Sequence, residues 1–201
     1  MVLGITGISG SGKHTAAEYF RKRKWVILDT DSIAHYLYRP YTGAWKEINK
    51  EFGDKIFNQD DTINRTRLGQ IVFNPADPES ANASLEKLNG IIHPHMKRYI
   101  ENEIHLHSRR ESDIVIVSAL WKEFEENVCD KILLIKANQD IRIKRIMGRD
   151  GIPAKMYELR TKNQQEPEKP DFVIENNGSL AELNKKLDSL ITKLQDSRLQ
   201  N

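Results

Sequence analysis

Cysteine is nearly absent from this 201-residue chain: Cys129 is the only one, which excludes a disulfide framework and a cysteine-rich zinc site. A reducing compartment is the simplest setting for such a sequence. Long apolar runs are missing as well. No stretch approaches the roughly 18 apolar residues that a membrane span needs, so no membrane partner is expected. Met1-Val2-Leu3-Gly4-Ile5-Thr6 reaches glycines too early to read as a secretory leader. Nor does charge of one sign dominate, since 31 Lys and Arg stand against 29 Asp and Glu, a formal net charge of +2. A dedicated nucleic-acid binder usually shows a strongly basic face or tail, so no nucleic-acid partner is expected either. Internal repeats and low-complexity segments are also lacking. The expectation is a globular cytoplasmic protein, built as one domain or as one core with small inserted subdomains. A chain of this size buries about 70% of its unfolded surface and needs no disulfide or metal staple.

What is present alternates between two patterns. Val2 to Thr6 is a short apolar run that suits a buried strand. His14 to Lys24 reads as a helix, and Trp25-Val26-Ile27-Leu28 as a second buried strand closed by Asp29-Thr30-Asp31. A short helix through Ile33, Ala34 and Leu37 follows, and from Gly43 to about Arg110 the pattern is helical without a clear strand. Ile114–Val117 and Ile132–Ile135 are further β-branched runs, with Asn138 placed to cap a helix through Ile141, Ile143 and Ile146. Phe172-Val173-Ile174 precedes an Asn176-Asn177-Gly178 turn, after which Ser179 and Glu182 have capping-box spacing. Leu180, Leu183, Leu187, Leu190, Ile191 and Leu194 then form one apolar helix stripe, read as core packing. Strands alternating with helices predict an α/β fold with a parallel sheet covered on both faces. The core spans about residues 1–30 and 111–201, with a helical insertion over about 31–110.

Between the first strand and the first helix lies Gly7-Ile8-Ser9-Gly10-Ser11-Gly12-Lys13, which fits the G-x-x-x-x-G-K part of a P-loop in the flanking context that motif requires. Glycines let the backbone turn its N–H groups inward to cradle phosphate oxygens. The following helix N-terminus adds partial positive charge, and Lys13 reaches the β- and γ-phosphates. Gly7, Ser9, Gly10, Ser11, Gly12, Lys13, His14 and Thr15 are therefore the expected nucleotide-binding residues, with ATP and Mg²⁺ as the expected cofactors. One position departs from the motif. His14 stands where Ser or Thr would place a hydroxyl on Mg²⁺, and Thr15 follows it. Imidazole is a poor ligand for a hard, oxygen-seeking cation. Three readings stand open: Mg²⁺ held by water, phosphates and a carboxylate; weakened metal binding and activity; or loss of catalysis. No protein metal-ligand set is assigned.

Many P-loop kinases share these features, and the next segments narrow the field. Leu28-Asp29-Thr30-Asp31-Ser32-Ile33-Ala34-His35 resembles the Asp-Ala-Asp-x-Ile-Ala segment of the dephospho-coenzyme A kinase family. Trp45-Lys46-Glu47-Ile48, Phe52-Gly53, Ile63-Asn64-Arg65, Leu68, Val72-Phe73, Leu85-Glu86, His93-Pro94 and Asp171 to Gly178 follow that family's order over nearly the whole chain. The resemblance implies a P-loop kinase core, a helical acceptor-binding insertion and a short lid over about 149–168. It implies transfer of the ATP γ-phosphoryl group to the ribose 3′-hydroxyl of dephospho-coenzyme A, the last step of coenzyme A biosynthesis. Asp31 matches the proposed catalytic aspartate, where a carboxylate accepts the proton and orients the attacking oxygen. Asp29 would lie at the same strand end as Asp31, and a helix-cap role is the alternative for either. Thr6 matches a family threonine that either contacts acceptor or phosphate or packs at the strand end. His93 falls in the acceptor-binding region and is not read as a general base.

Arg142, Arg145 and Arg149 share roughly one helix face. The resemblance brings arginines of this segment, and Arg160 in the lid, toward ATP phosphates, with Arg145 in a catalytic role and Arg149 in nucleotide binding. A solvated face is the competing reading, most strongly for Arg142. Gln164 or Gln165 matches a family glutamine. Ser118-Ala119-Leu120-Trp121-Lys122-Glu123-Phe124 departs from the family's Pro-Leu-Leu-Phe-Glu-like segment, and the stretch to Asp171 is several residues short. The functional alternatives are another small-molecule or nucleoside kinase, or a catalytically impaired ATP-binding regulatory homologue. A monomer or weak homo-oligomer is expected.

Overall fold

Strand β1, Val2–Thr6, is buried at all five residues, as expected of an apolar run with no alternating polar face. Its neighbours explain why. In the computed structural model, which describes residues 1–74, 76–119, 128–151, 157–158, 161–162 and 164–199, β1 pairs in parallel with β3, Ile114–Ser118, on one side and β4, Lys131–Lys136, on the other. β2, Val26–Asp29, adds to β3, and β5, Phe172–Glu175, adds to β4. The order β2-β3-β1-β4-β5 is a five-stranded parallel sheet, and the chain's direction of travel across it reverses about β1. In open sheets of this kind ligands bind outside the carboxyl ends of the strands at such a reversal, which here is where the glycine-rich loop begins.

The Cα framework divides into two compact units, Met1–Asp29 with Ile104–Asn201, and Thr30–Glu103. In the first, helix α1, Lys13–Arg21, and the last helix of the chain cover one face of the sheet. Leu3, Ile5, Val115, Val117, Leu133 and Ile135 pack there against Ala16, Ala17 and Phe20 of α1 and against Leu183, Leu187, Leu190 and Leu194. Ile114, Ile116 and Leu134, at the alternating positions, are buried too, so the central strands have no solvent face. α6, Gln139–Asp150, follows β4.

Asn138 sits at the N-cap of α6, but its side chain makes no capping bond. Its main-chain N–H donates to Asn177 Oδ1 at 2.7 Å instead, so the turn after β5 anchors the start of α6. Ser179 caps the last helix at the expected spacing: Glu182 N donates to Ser179 Oγ at 3.3 Å, and the Ser179 hydroxyl donates to Glu182 Oε1 at 3.1 Å, one half of the reciprocal pair. Leu180 corrects the expected leucine stripe, being 60% exposed. It lies in the first turn of the last helix, Leu180–Leu199, where the chain has only just left the capping turn.

The second unit is helical, as its pattern indicates. Helix α2, Thr30–Leu37, starts directly after β2. α3, Gly43–Phe52, is capped by Thr42 Oγ1, and α4, Arg65–Val72, by Asn64 Oδ1. Phe57 and Ile63 form an isolated antiparallel bridge. α5, Pro78–Ser108, carries His93 and Pro94 in its interior, where the proline removes the N–H that would bond the carbonyl of Gly90. The last helix is α7 in this numbering. No helix among the described residues is long and apolar enough to cross a membrane.

Two outcomes test this packing. Leu187 is fully buried beneath α7, so Leu187→Ala should cost about 2–5 kcal/mol in urea unfolding; a loss below about 1 kcal/mol would contradict the described core. Burial, and secondarily the Asp130 carboxylate, push the Cys129 thiol up to about 12. Only the thiolate reacts, so iodoacetamide at neutral pH should label the native chain at least about tenfold more slowly than the chain in guanidinium chloride.

Candidate active site

Residues 7–13 leave the carboxyl end of β1 and enter α1, and the surrounding elements hold this loop by its carbonyl oxygens. Tyr157 Oη donates to Ser9 O at 3.2 Å. Arg145 Nη1 lies 3.3 Å from both Gly10 O and Ser11 O, and Asn176 Nδ2 donates to Ser11 O at 2.7 Å. In a trans peptide the C=O of one residue and the N–H of the next point to opposite sides. Fixing the carbonyls of Ser9 and Ser11 on the protein side therefore turns the N–H groups of Gly10 and Gly12 the other way. Ser11 N–H closes a turn onto Ile8 O at 2.9 Å. The result is a concave set of backbone donors suited to an anion.

Gly10 and Gly12 show why no other residue fits here. Gly12 has φ 103° and would drive a methyl group into Asn176 Nδ2; Gly10 has φ 87° and would place one 2.6 Å from Arg142 O. Side chains other than glycine's are disfavoured at such φ, and here the close approach of the neighbours forbids them as well.

Lys13 opens α1 and is only 5% exposed. No residue within the first turn of α1 is itself acidic, so the positive end of the helix dipole is left to groups from outside the helix. His14 follows, with Nε2 3.1 Å from Asp29 Oδ2 at the end of β2; Thr15 is exposed on α1. Asp31 lies in the first turn of α2. Because β2 ends at Asp29, the two-residue strand repeat that would set both carboxylates on one face does not extend to Asp31. Thr6 is fully buried at the end of β1, in register with Ser118 of β3 and Leu134 of β4. Its Oγ1, and that of Ser11, have no hydrogen-bond partner among the described residues.

The three arginines of α6 divide. Arg145 reaches the loop. Arg142 is not a solvated surface residue: its Nη1 donates to Tyr157 Oη at 2.8 Å and its Nε to Ala137 O at 3.0 Å. Arg149 is exposed and pairs with Asp150 at 2.6 Å. His93 is half-buried in α5, while His95, not singled out from the sequence, pairs with Glu47 at 2.9 Å. Of the two glutamines left open, Gln164 meets the loop at Ser9. Arg160 and residues 120–127 lie outside the described residues.

Asn176 and Tyr157 are the loop contacts that sequence reasoning missed. Asn176 reads as a turn residue, and only its buried approach to Gly12 reveals a loop contact. Tyr157 is buried, which pushes its hydroxyl up despite the Arg142 guanidinium. It therefore stays protonated and can donate.

The dephospho-CoA kinase family model matches residues 1–182. A dephospho-CoA kinase of Lactobacillus johnsonii is 33% identical over 198 residues, covering 96% of this chain and 97% of the relative. One from Lactobacillus acidophilus is 34% identical over 204 residues, covering 97% and 98%. Among solved structures, a Thermus thermophilus protein is similar at TM-score 0.75 and 27% identity, covering 96% of this chain and 97% of that one. A dephospho-CoA kinase from Campylobacter jejuni shares the fold at TM-score 0.68 and 22% identity, covering 98% of each chain. A family match over residues 1–182, joined by relatives above 30% identity along almost their whole length, makes this chain a member of the dephospho-CoA kinase family.

Proposed function

We propose that the protein uses ATP to phosphorylate the ribose 3′-hydroxyl of dephospho-coenzyme A, yielding coenzyme A and ADP in the cytoplasm. The observation that carries the reading is the loop whose carbonyls are tied back by Tyr157, Arg145 and Asn176. The reaction breaks the bond between the γ-phosphorus and its bridging oxygen and forms one from the 3′-oxygen. Phosphoryl transfer needs little covalent chemistry from a protein, so positioning and charge stabilisation dominate. Lys13 and the backbone donors bind the phosphates, while Arg145, already beside Gly10 and Ser11, stabilises charge spreading over the γ-phosphoryl oxygens. Asp31 takes the proton of the 3′-hydroxyl and orients its oxygen. The fully buried Thr6 hydroxyl at the loop's root, without a hydrogen-bond partner among the described residues, supports a contact with phosphate or acceptor, since leaving it so costs about 1–3 kcal/mol.

Mg²⁺ fits the donor set through carboxylate oxygen and not through the imidazole. His14 offers nitrogen, which the ion disfavours, but its neighbour Asp29 offers a carboxylate. Asp29, with phosphate oxygens and water, would hold the ion, which when bound neutralises charge on the β- and γ-phosphates. The motif departure at His14 also supports a second reading, ATP binding without transfer.

The deciding assay follows ADP and coenzyme A formation from ATP, Mg²⁺ and dephospho-coenzyme A, with His14→Ser in parallel. Product from the unsubstituted protein is expected, and His14→Ser should change its Mg²⁺ requirement. Activity only in His14→Ser would support the binding-only reading; ATP binding with neither protein active on this acceptor would overturn the acceptor assignment. Asp31→Asn should lower kcat by about 10²–10⁴-fold while leaving the Kd for ATP nearly unchanged. An undiminished kcat would remove Asp31 from the base role.

A further inference from the structure

Ser9 is 6% exposed, and its main chain and side chain are both held by one later segment of the chain. Its N–H donates to Gln164 Oε1 at 2.8 Å, across 155 residues of sequence. Its Oγ accepts from Gln164 Nε2 at 3.0 Å, and its carbonyl accepts from Tyr157 Oη at 3.2 Å. Tyr157 is fixed in turn by Arg142, which is tied to Ala137 at the end of β4. Thr161 Oγ1 donates to Tyr157 O at 3.0 Å within the same segment.

A primary amide suits this task because it offers an acceptor and a donor on one rigid plane. Two bonds from that plane fix the backbone and the hydroxyl of Ser9 together. The amide oxygen also satisfies Ser9 N–H without bringing a negative charge to a loop whose remaining donors serve an anion. A carboxylate would keep the acceptor, lose the donor to Ser9 Oγ and repel the ligand. We propose that Gln164 is a positioning residue that clamps Ser9 through its amide and so sets the protein's affinity for the phosphates of ATP.

The inference rests on residues 7–13 being the ATP-phosphate loop, and its readout is ATP binding, not turnover. Isothermal titration calorimetry with ATP and Mg²⁺ would compare the unsubstituted protein with Gln164→Met, Gln164→Glu, Ser9→Ala and the Ser9→Ala/Gln164→Met double variant. Loss of two neutral hydrogen bonds should raise the Kd about tenfold in Gln164→Met. Gln164→Glu should be weaker still, about 100-fold, because it adds like charge. A residue serving only as a neutral prop would instead be largely rescued by Glu, which keeps its length and its acceptor. Ser9→Ala deletes one of the two bonds, and its effect should shrink on a Gln164→Met background, as coupling in a double-mutant cycle requires.

An unchanged Kd in both Gln164 variants, rescue by Glu, or independent effects of Ser9→Ala and Gln164→Met would each overturn the clamp. Should Gln164→Met not fold, Gln164→Glu and Ser9→Ala give the same decision. If the unsubstituted protein binds ATP but makes no coenzyme A, the acceptor assignment fails while the clamp is still read from binding. If it binds no ATP, both fall.

Discussion

Three carbonyl oxygens, those of Ser9, Gly10 and Ser11, govern what the loop after β1 can bind. A peptide plane has two polar edges and cannot present both to one ligand. A loop that is to offer N–H groups to phosphate must have its carbonyls satisfied elsewhere, since an unmet buried carbonyl is costly. Tyr157, Arg145 and Asn176 do this from three different segments. The glycines are the other half of the same constraint. Asn176 reaches Ser11 O only because Gly12 lacks a side chain, and the backbone of Arg142 lies against Gly10 for the same reason. Loop and supports thus specify one another, which is preorganisation: the donors face the ligand before it arrives.

The sheet core carries this arrangement. α1 presents Lys13 at its first turn and buries Ala16, Ala17 and Phe20 against β1, β3 and β4 further along. The helix end proposed to bind phosphate is therefore fixed by apolar contacts over the rest of the same helix. α7 completes that layer with four buried leucines, and the turn that starts it carries Asn176 and Asn177. One short turn thereby joins the start of α7, the start of α6 and the phosphate loop. Burial of apolar surface supplies the stability, while a few directed hydrogen bonds supply the loop's shape.

How much of this the sequence discloses depends on the range of the signal. β1 is legible because strand burial writes itself into five consecutive residues, and residues 7–13 because the chemistry of phosphate binding needs glycines at set spacing. The Ser179 cap with its Glu182 partner is equally local. Leu180 breaks the stripe because periodicity says which residues share a face, not where along a helix that face meets the core. The anchors are invisible for a stronger reason: Tyr157, Gln164 and Asn176 meet the loop across about 150 residues or more, and no local pattern marks such a contact. Arginine spacing on α6 was informative about a shared face yet could not distinguish Arg145 on the loop from Arg142 on Tyr157 or Arg149 on Asp150.

His14 belongs to the same logic of substituted partners. A hydroxyl after the lysine would bring one oxygen to the metal position; an imidazole brings none. Its Nε2 instead meets Asp29 Oδ2 at 3.1 Å, so the position has exchanged a direct oxygen donor for a contact with a neighbouring carboxylate. Magnesium keeps several waters and takes few protein ligands when phosphates are present. In the proposed site one carboxylate held in place would serve the ion where a hydroxyl otherwise does. The exchange alters which residue would supply the oxygen and leaves the phosphate-facing donors, and the supports behind them, as they are.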